Sequence, residues 1–162
     1  MILGDACDEL IELAQTLNYP VTNTLMGLGG YPGTDKQFVG MLGMHGSYEA
    51  NMTMHHSDLI FCVGARFDDR VTNGLDKFCP TAKIVHIDID PTSISKNVRA
   101  DVPIVGPAKV VLQEFLKLLK ASKVQADAAA LKTWWHQIDE WRARHGGRYA
   151  TDDSELMKPQ QV

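Results

Sequence analysis

The stretch Leu59-Ile-Phe-Cys-Val-Gly64 decides the fold of this 162-residue chain. It is apolar at every position before the glycine, and a second run of strand length, Lys83-Ile-Val-His-Ile-Asp88, is apolar at three of its four inner positions. Strands that are buried on both faces have such continuous apolar runs, as in a parallel sheet that carries helices on either side. We therefore expect both runs to be strands of a parallel sheet.

Helical and extended patterns alternate around these two strands. Helices are predicted over residues 8–17, 48–56, 91–96, 108–120 and 126–144, and extended segments over residues 21–24 and 41–44. This alternation predicts an α/β fold, a doubly wound and mostly parallel sheet that is Rossmann-like. A helix follows the first few residues at once, so the first strand of that sheet is expected to be truncated.

The chain is expected to divide into two parts. Residues 1–122 would form an α/β domain, and residues 123–162 a C-terminal helix followed by a linker. The linker is predicted from the polar tail that ends Lys158-Pro-Gln-Gln-Val162, because such composition is typical of boundaries between domains.

Composition narrows the possible partners. A net charge of -4 argues against nucleic acid, and the chain has no apolar run long enough to span a membrane. Three scattered cysteines, Cys7, Cys62 and Cys79, are too few for a disulfide framework or a zinc site. Cys62 is expected to be a small core residue, and a reducing cytoplasm fits this cysteine content.

Two glycine-containing segments lie at the carboxyl ends of predicted extended segments, where open α/β sheets bind their ligands. The first begins Thr24-Leu-Met-Gly27, and its glycines would let the backbone approach a ligand, although a flexible turn explains them equally. It is no dinucleotide fingerprint, because Pro32 occupies the third glycine position. The second is Gly43-Met-His-Gly46, where His45 could contact a ligand or be an ordinary surface residue.

Two charged segments follow the strongest strands. In Gly64-Ala-Arg-Phe-Asp-Asp-Arg-Val71, the two arginines could bind phosphate, or form an ion-paired cluster with the aspartates. Asp88 could bind a sugar hydroxyl or cap a helix, whereas a cap is favoured for Asp90. With no P-loop or nucleophile motif in the chain, these residues predict a nucleotide-holding domain without an evident catalytic group.

These segments resemble the middle domain of acetolactate synthase (acetohydroxyacid synthase) large subunits of the bacterial biosynthetic type. The resemblance rests on residues 21–33, 41–46, 63–71 and 86–91, in that order along the chain. It implies a parent enzyme that uses thiamine diphosphate, Mg²⁺ and FAD to condense pyruvate with a second 2-oxo acid, such as 2-oxobutanoate, in branched-chain amino-acid biosynthesis. It also implies a large-subunit dimer and a small regulatory subunit.

The resemblance assigns site residues by position. The positions implied to contact FAD are Thr24, Leu25, Met26, Leu42, Gly43, Met44, His45, Gly64, Ala65, Arg66, Asp68, Arg70, Val71, Asp88 and Ile89. Met44, Asp69 and Arg70 are implied to line the substrate channel, where herbicidal inhibitors bind members of this family. The resemblance thus favours ligand-facing arginines over a self-contained ion-pair cluster.

The chain also departs from the family pattern. Family members have a complete first strand and a glycine cluster before the position of Ile2, and commonly Gly-Asp where this chain has Gly106-Pro107. The catalytic glutamate and the Gly-Asp-Gly magnesium motif belong to the family's other two domains. We therefore predict no catalytic residue and no metal ligand in this chain, and expect the isolated chain to be inactive.

Two other functions stay open. One is a free-standing FAD- or nucleotide-binding module, and the other is the middle domain of a sibling thiamine enzyme such as glyoxylate carboligase or pyruvate oxidase. Residues 24–30 and 66–70 favour acetolactate synthase over these siblings.

Overall fold

A computed structural model of the protein describes residues 1–122 and 124–145, with only the backbone of His145. The helices are α1 (Cys7–Leu17), α2 (Tyr48–His55), α3 (Asp69–Thr72), α4 (Ala108–Ser122) and α5 (Ala128–His145). The strands are β1 (Val21–Asn23), β2 (Phe38–Met41), β3 (Leu59–Val63), β4 (Lys83–Asp88) and β5 (Val102–Val105). Short 3-10 helices cover Ile2–Gly4, Leu25–Gly27 and Leu75–Lys77.

All strand pairs in the described residues are parallel, which confirms the α/β fold class. The strands form two sheets, one of β1 and β2 and one in the order β3-β4-β5. Ile60 lies opposite Ile84, and Val85 lies opposite Val102. No described strand pairs with both β1 and β3, and residues of these two strands line a common cavity in the gap between the sheets.

Side chains of the larger sheet alternate between two apolar layers, as expected for strands buried on both faces. On one face Phe61, Val63 and Ile87 pack under α1 and α4, which contribute Leu13, Leu112 and Leu116 to the same core cluster. On the other face the loops between β3 and β4 cover Ile60, Cys62 and Ile84 with Phe67 and Cys79. Burial raises the pKa of the Cys62 thiol to about 12, which agrees with its expected place in the core.

Helix α5 packs against α2 and β2. Ile138 and Trp141 share a buried cluster with Val39, and the Arg142 guanidinium donates to the carbonyl oxygens of Lys36 and Phe38 at 2.9 and 3.0 Å. The predicted linker after this helix lies outside the described residues. No helix in the described ranges is long and apolar enough to cross a membrane.

Two sequence predictions were wrong. Residues 91–96 form turns and bends instead of a helix, because the Asp90 carboxylate accepts from the Thr92 N–H at 2.9 Å and Ser95 adopts a φ of 57°. The extended segment predicted at 41–44 belongs three residues earlier, in β2, since Gly43 turns the chain with a φ of 102°. Strand β5 was missed, because four residues that include Pro103 carry a weak strand signal.

Candidate functional site

The loops after β2 and β3 meet at the carboxyl edge of the two sheets. The Met44 N–H donates to the Arg70 carbonyl oxygen at 2.8 Å. A Cβ atom on Gly43 would lie 2.5 Å from that same oxygen and 3.3 Å from Val71 Cα, so only glycine allows this approach. The glycine at 43 therefore determines how closely two of the predicted site segments approach each other.

Asn51 of α2 holds this glycine in place. Its Oδ1 accepts from the Gly43 N–H at 2.8 Å, and its Nδ2 donates to the Gly43 carbonyl at 2.9 Å. Sequence reasoning missed Asn51. The signal that could have found it is its position four residues after Ser47, the N-cap whose hydroxyl accepts from the Ala50 N–H at 3.3 Å.

The loop after β1 presents apolar side chains to solvent. Thr24 caps the 3-10 helix Leu25–Gly27 by accepting from the Gly27 N–H at 3.2 Å. Leu25 and Met26 are 69% and 90% exposed. Large apolar side chains with this exposure can cover a flat ring system.

The arginine-aspartate segment is exposed and only loosely paired. The shortest nitrogen–oxygen distance is 3.8 Å both for Arg66 with Asp68 and for Arg70 with Asp69, and the arginine side chains are 70% and 72% exposed. These distances exceed those of hydrogen bonds, and exposed pairs of this kind contribute little to stability. Asp68 also caps α3, since its Oδ1 accepts from the Arg70 N–H at 3.1 Å. Both guanidinium groups therefore keep their donors for an anion.

Asn97 and the buried ring of His86 anchor the backbone of this segment. Phe67 adopts a φ of 51°, its carbonyl accepts from Asn97 Nδ2 at 2.9 Å, and its ring meets that of His86 edge-on with centroids 5.2 Å apart. His86 is fully buried with no hydrogen-bond partner for either ring nitrogen in the described part of the chain. Burial lowers the pKa of His86, which favours the neutral form of the ring.

The segment after β4 adds one carboxylate to the edge. Asp88 Oδ1 accepts from the Asp90 N–H at 2.9 Å, which leaves Oδ2 without a protein partner in the described ranges. Ile89 is exposed beside it. The predicted cap role of Asp90 was wrong, because no helix follows it; its carboxylate instead accepts from Thr92 within a turn, and these hydrogen bonds lower the pKa of the Asp90 carboxyl.

Backbone contacts join the four segments into one edge. Leu42 N–H donates to the Asn23 carbonyl at 3.1 Å, and Gly64 N–H donates to the Ile87 carbonyl at 2.8 Å. Four predicted positions stay apart from the others, because no hydrogen bond or ion pair joins their side chains to another predicted site residue in the described structure. These positions are Leu25, Met26, His45 and Ile89. The remaining predicted positions, Leu42, Ala65 and Val71, lie at the inner side of the edge and line a cavity between the sheets.

This arrangement suits binding better than bond-making. Two exposed guanidinium groups, a free carboxylate oxygen and exposed apolar side chains can hold a phosphate, a hydroxyl and a flat ring. Across the described residues, no group of three or more His, Cys, Asp or Glu side chains could hold a metal ion.

Comparisons with known proteins agree with this architecture. The family model described as thiamine pyrophosphate enzyme, central domain, matches residues 1–115. The chain is 56% identical over 161 residues to the acetolactate synthase large subunit of Haemophilus influenzae, covering 99% of this chain and 28% of that protein. It is 56% identical over 154 residues to the acetolactate synthase isozyme 3 large subunit of Escherichia coli, covering 95% of this chain and 27% of that protein.

A more distant relative matches over the same span. The acetolactate synthase of Mycobacterium leprae is 40% identical over 162 residues, which is 100% of this chain and 26% of that protein. The chain thus spans little more than a quarter of the length of the curated relatives it matches. From the match over residues 1–115, the chain belongs to the family of thiamine pyrophosphate enzyme central domains.

Proposed function

We propose that this chain is the FAD-holding part of an acetolactate synthase large subunit. Thiamine diphosphate and Mg²⁺ would be bound by other parts of the enzyme, which would work in a reducing cytoplasm. The enzyme would condense pyruvate with a second 2-oxo acid, such as 2-oxobutanoate, for branched-chain amino-acid biosynthesis. The observation that carries this proposal is the carboxyl edge, where two loosely paired arginines face solvent beside a glycine-dependent contact between loops.

The donor set at this edge fits the parts of FAD. Arg66 and Arg70 would bind the diphosphate, since a guanidinium fork matches phosphate oxygens. Asp88 Oδ2 would accept from a hydroxyl, and the exposed side chains of Leu25 and Met26 would cover a ring. FAD bound here would supply a flat, polarisable surface beside the substrate channel proposed at Met44, Asp69 and Arg70.

The chain's own residues would orient ligands and exclude water, and none would transfer a proton. Asn51 fixes Gly43, and Gly43 fixes the distance between Met44 and Arg70. The chain also lacks the Gly-Asp-Gly motif that the resemblance assigns to magnesium binding. We therefore expect no acetolactate from the isolated chain supplied with pyruvate, thiamine diphosphate, Mg²⁺ and FAD.

A chimaera tests the proposal directly. These residues would replace the matching segment of the Escherichia coli isozyme 3 large subunit, and FAD retention and acetolactate formation would be measured. We expect both to persist, and Arg66→Met with Arg70→Met to weaken FAD binding by roughly tenfold to a hundredfold, since hydrogen bonds to charged groups contribute about 1.5–3 kcal/mol. Arg99→Met, at the amino end of β5, is the matched control. Undiminished FAD affinity in the double variant would refute the site.

A nucleotide module without catalysis is the second candidate, favoured by the absence of a nucleophile–base pair among the described residues at this edge. A chimaera that binds FAD and forms no acetolactate would support it.

A further inference from the structure

Asn73 and Gly74 form the one Asn-Gly pair of the sequence, and they lie between α3 and the 3-10 helix Leu75–Lys77. Both residues are exposed, and the Asn73 side chain makes no hydrogen bond within the described ranges. A side-chain amide followed by glycine is open to attack by the next backbone nitrogen, because glycine has no side chain to shield that nitrogen. The pair is therefore a candidate for a covalent change that the proposed function does not use.

The backbone of Asn73 has an unusual conformation. Its φ is 53° and its ψ is -120°, which lies outside the left-handed helical region that asparagine tolerates. Viewed along the Cα–C bond, the Cβ atom of an L-residue lies about a third of a turn from its own amide nitrogen. A ψ of -120° therefore brings the Gly74 nitrogen into line with the Asn73 Cβ atom. Rotation about the Cα–Cβ bond alone then carries the side-chain amide carbon to that nitrogen.

The other asparagines lack this combination of conformation and freedom. Asn18 also has a positive φ, 54°, but its ψ of 39° turns the next backbone nitrogen to the far side from its Cβ atom. Asn23, Asn51 and Asn97 each donate a side-chain hydrogen bond to a backbone carbonyl. Asn73 is therefore the asparagine whose described surroundings favour ring closure.

Hydrogen bonds hold the chain on both sides of the bond between Asn73 and Gly74. The Asn73 N–H donates to the Asp69 carbonyl at 3.0 Å, and the Lys77 N–H donates to the Gly74 carbonyl at 3.1 Å. The Gly74 N–H makes no hydrogen bond to the backbone in the described structure, so no such bond has to break before its nitrogen reacts. The fold thus keeps the reacting atoms near the geometry of the ring.

We propose that Asn73 is a site of spontaneous deamidation, in which the Gly74 nitrogen attacks the Asn73 side-chain amide. Hydroxide removes the Gly74 N–H proton, the nitrogen bonds to Asn73 Cγ, and the bond from Cγ to Nδ2 breaks. Ammonia leaves with a proton taken from water. A five-membered imide ring remains.

Water then opens the imide at either of its two carbonyl carbons. Hydrolysis of the bond between nitrogen and Cγ gives aspartate in the original backbone. Hydrolysis of the bond between nitrogen and the backbone carbonyl carbon gives isoaspartate, whose chain runs through Cβ and Cγ. The net change replaces an amide by a carboxylate and releases ammonia, and nothing is oxidised or reduced. Both products add a negative charge at the end of α3, the helix that carries Arg70.

Mass spectrometry of the tryptic peptide of residues 71–77 tests the proposal. The folded 162-residue chain and a synthetic peptide of residues 69–78 are incubated in the same mildly alkaline buffer, and the gain in mass at Asn73 is followed over time. We expect the folded chain to react at least as fast as the peptide, because its backbone is already near the ring geometry. A slower reaction in the folded chain than in the peptide would overturn the proposal.

The products identify the reaction. Ring closure yields both isoaspartate and aspartate at position 73, which electron-transfer fragmentation distinguishes, and hydroxylamine should trap the imide by cleaving the chain after this position. Direct hydrolysis of the side chain by water gives aspartate only, so aspartate without isoaspartate would contradict the proposed attack. Asn18 in the same digest is the internal control and should stay unchanged.

A substitution at Gly74 gives a further readout. Gly74 has a φ of -77°, which alanine adopts freely, and a Cβ atom there would meet only the exposed Asp76 carboxylate, at 3.1 Å. Since the methyl group shields the nitrogen, Gly74→Ala should slow deamidation at Asn73 by about tenfold or more. Gly33→Ala, whose Cβ atom has no neighbour within 4 Å, is the matched control and should keep the original rate. An original rate in Gly74→Ala as well would refute attack by this nitrogen.

Discussion

Replacement of Gly43 by alanine should destabilise the protein, and the geometry of the proposed site gives the expected loss in the free energy of unfolding. The φ of 102° at this position is one that L-residues rarely adopt, and such strain costs about 1–3 kcal/mol. The new Cβ would also meet the Arg70 carbonyl oxygen at 2.5 Å. The loop must then move and lose the hydrogen bond between Met44 and Arg70, a further loss of about 0.5–1.5 kcal/mol.

The two losses sum to a destabilisation of about 1.5–4.5 kcal/mol. For a domain of this size, that corresponds to a fall in Tm on the order of 10 °C. Urea unfolding followed by tryptophan fluorescence would measure the change in the free energy of unfolding. Amide exchange at Met44 would report whether the contact between the loops opens locally.

Gly33→Ala is the matched control for this substitution. No atom lies within 4 Å of the position of its Cβ, and its φ lies outside the left-handed region. Its free energy of unfolding should therefore change by no more than about 0.5 kcal/mol, or rise slightly through the unfolded state. If Gly43→Ala unfolds at the same urea concentration as Gly33→Ala, the glycine-dependent contact is not what holds the two loops together.

Two further substitutions test the groups that support the site. Asn51→Ala should destabilise the protein by about 1–3 kcal/mol and speed amide exchange at Gly43, because it leaves a buried N–H and a carbonyl unpaired; unchanged exchange would contradict that role. His86→Leu should flatten the pH dependence of stability. The lowered pKa of His86 makes the native protein bind fewer protons than the unfolded chain, so stability is present above the ordinary pKa of 6.5 and is lost as pH falls below it, by up to about 1.4 kcal/mol per pH unit. Urea unfolding between about pH 5 and 8 measures the slope. His136→Gln, an exposed control on α5, should keep the wild-type slope, and equal slopes for His86→Leu and wild type would contradict the role given to burial.

Most of the fold that could be predicted from the sequence followed from its long apolar runs. β4 was predicted to the residue and β3 to within one residue, because a strand buried on both faces leaves a pattern that no competing signal overrides. The helix predicted over residues 91–96 was wrong because a side chain competes with the helix for backbone hydrogen bonds. The Asp90 carboxylate accepts from the Thr92 N–H, and a turn forms in place of the first helical turn. Strand β5 was missed for a different reason, since an edge strand of four residues is stabilised mainly by the neighbour it pairs with.

The charged residues of the candidate site could be proposed from the sequence, whereas the residues that hold its loops in place could not. Arg66 and Arg70 follow a strong strand, and position after a strand is visible in sequence. Asn51 reaches Gly43 from a helix eight residues away in the chain, and such a contact depends on how the helix docks. The residues alone also did not decide whether the two arginines face a ligand or pair with the aspartates. Only the 3.8 Å separations show how weak the ion pairs are.

The gap between the sheets and the carboxyl edge are parts of one structural unit. Thr24, Leu42, Ala65 and Val71 line the cavity, and all four are among the residues proposed to contact FAD. The loops that carry them are joined mainly through single backbone contacts, such as the hydrogen bond from Met44 to Arg70. Loss of such a contact would increase the entropy that the edge loses when it binds a ligand, so it should weaken binding at the edge without removing any contact to the ligand.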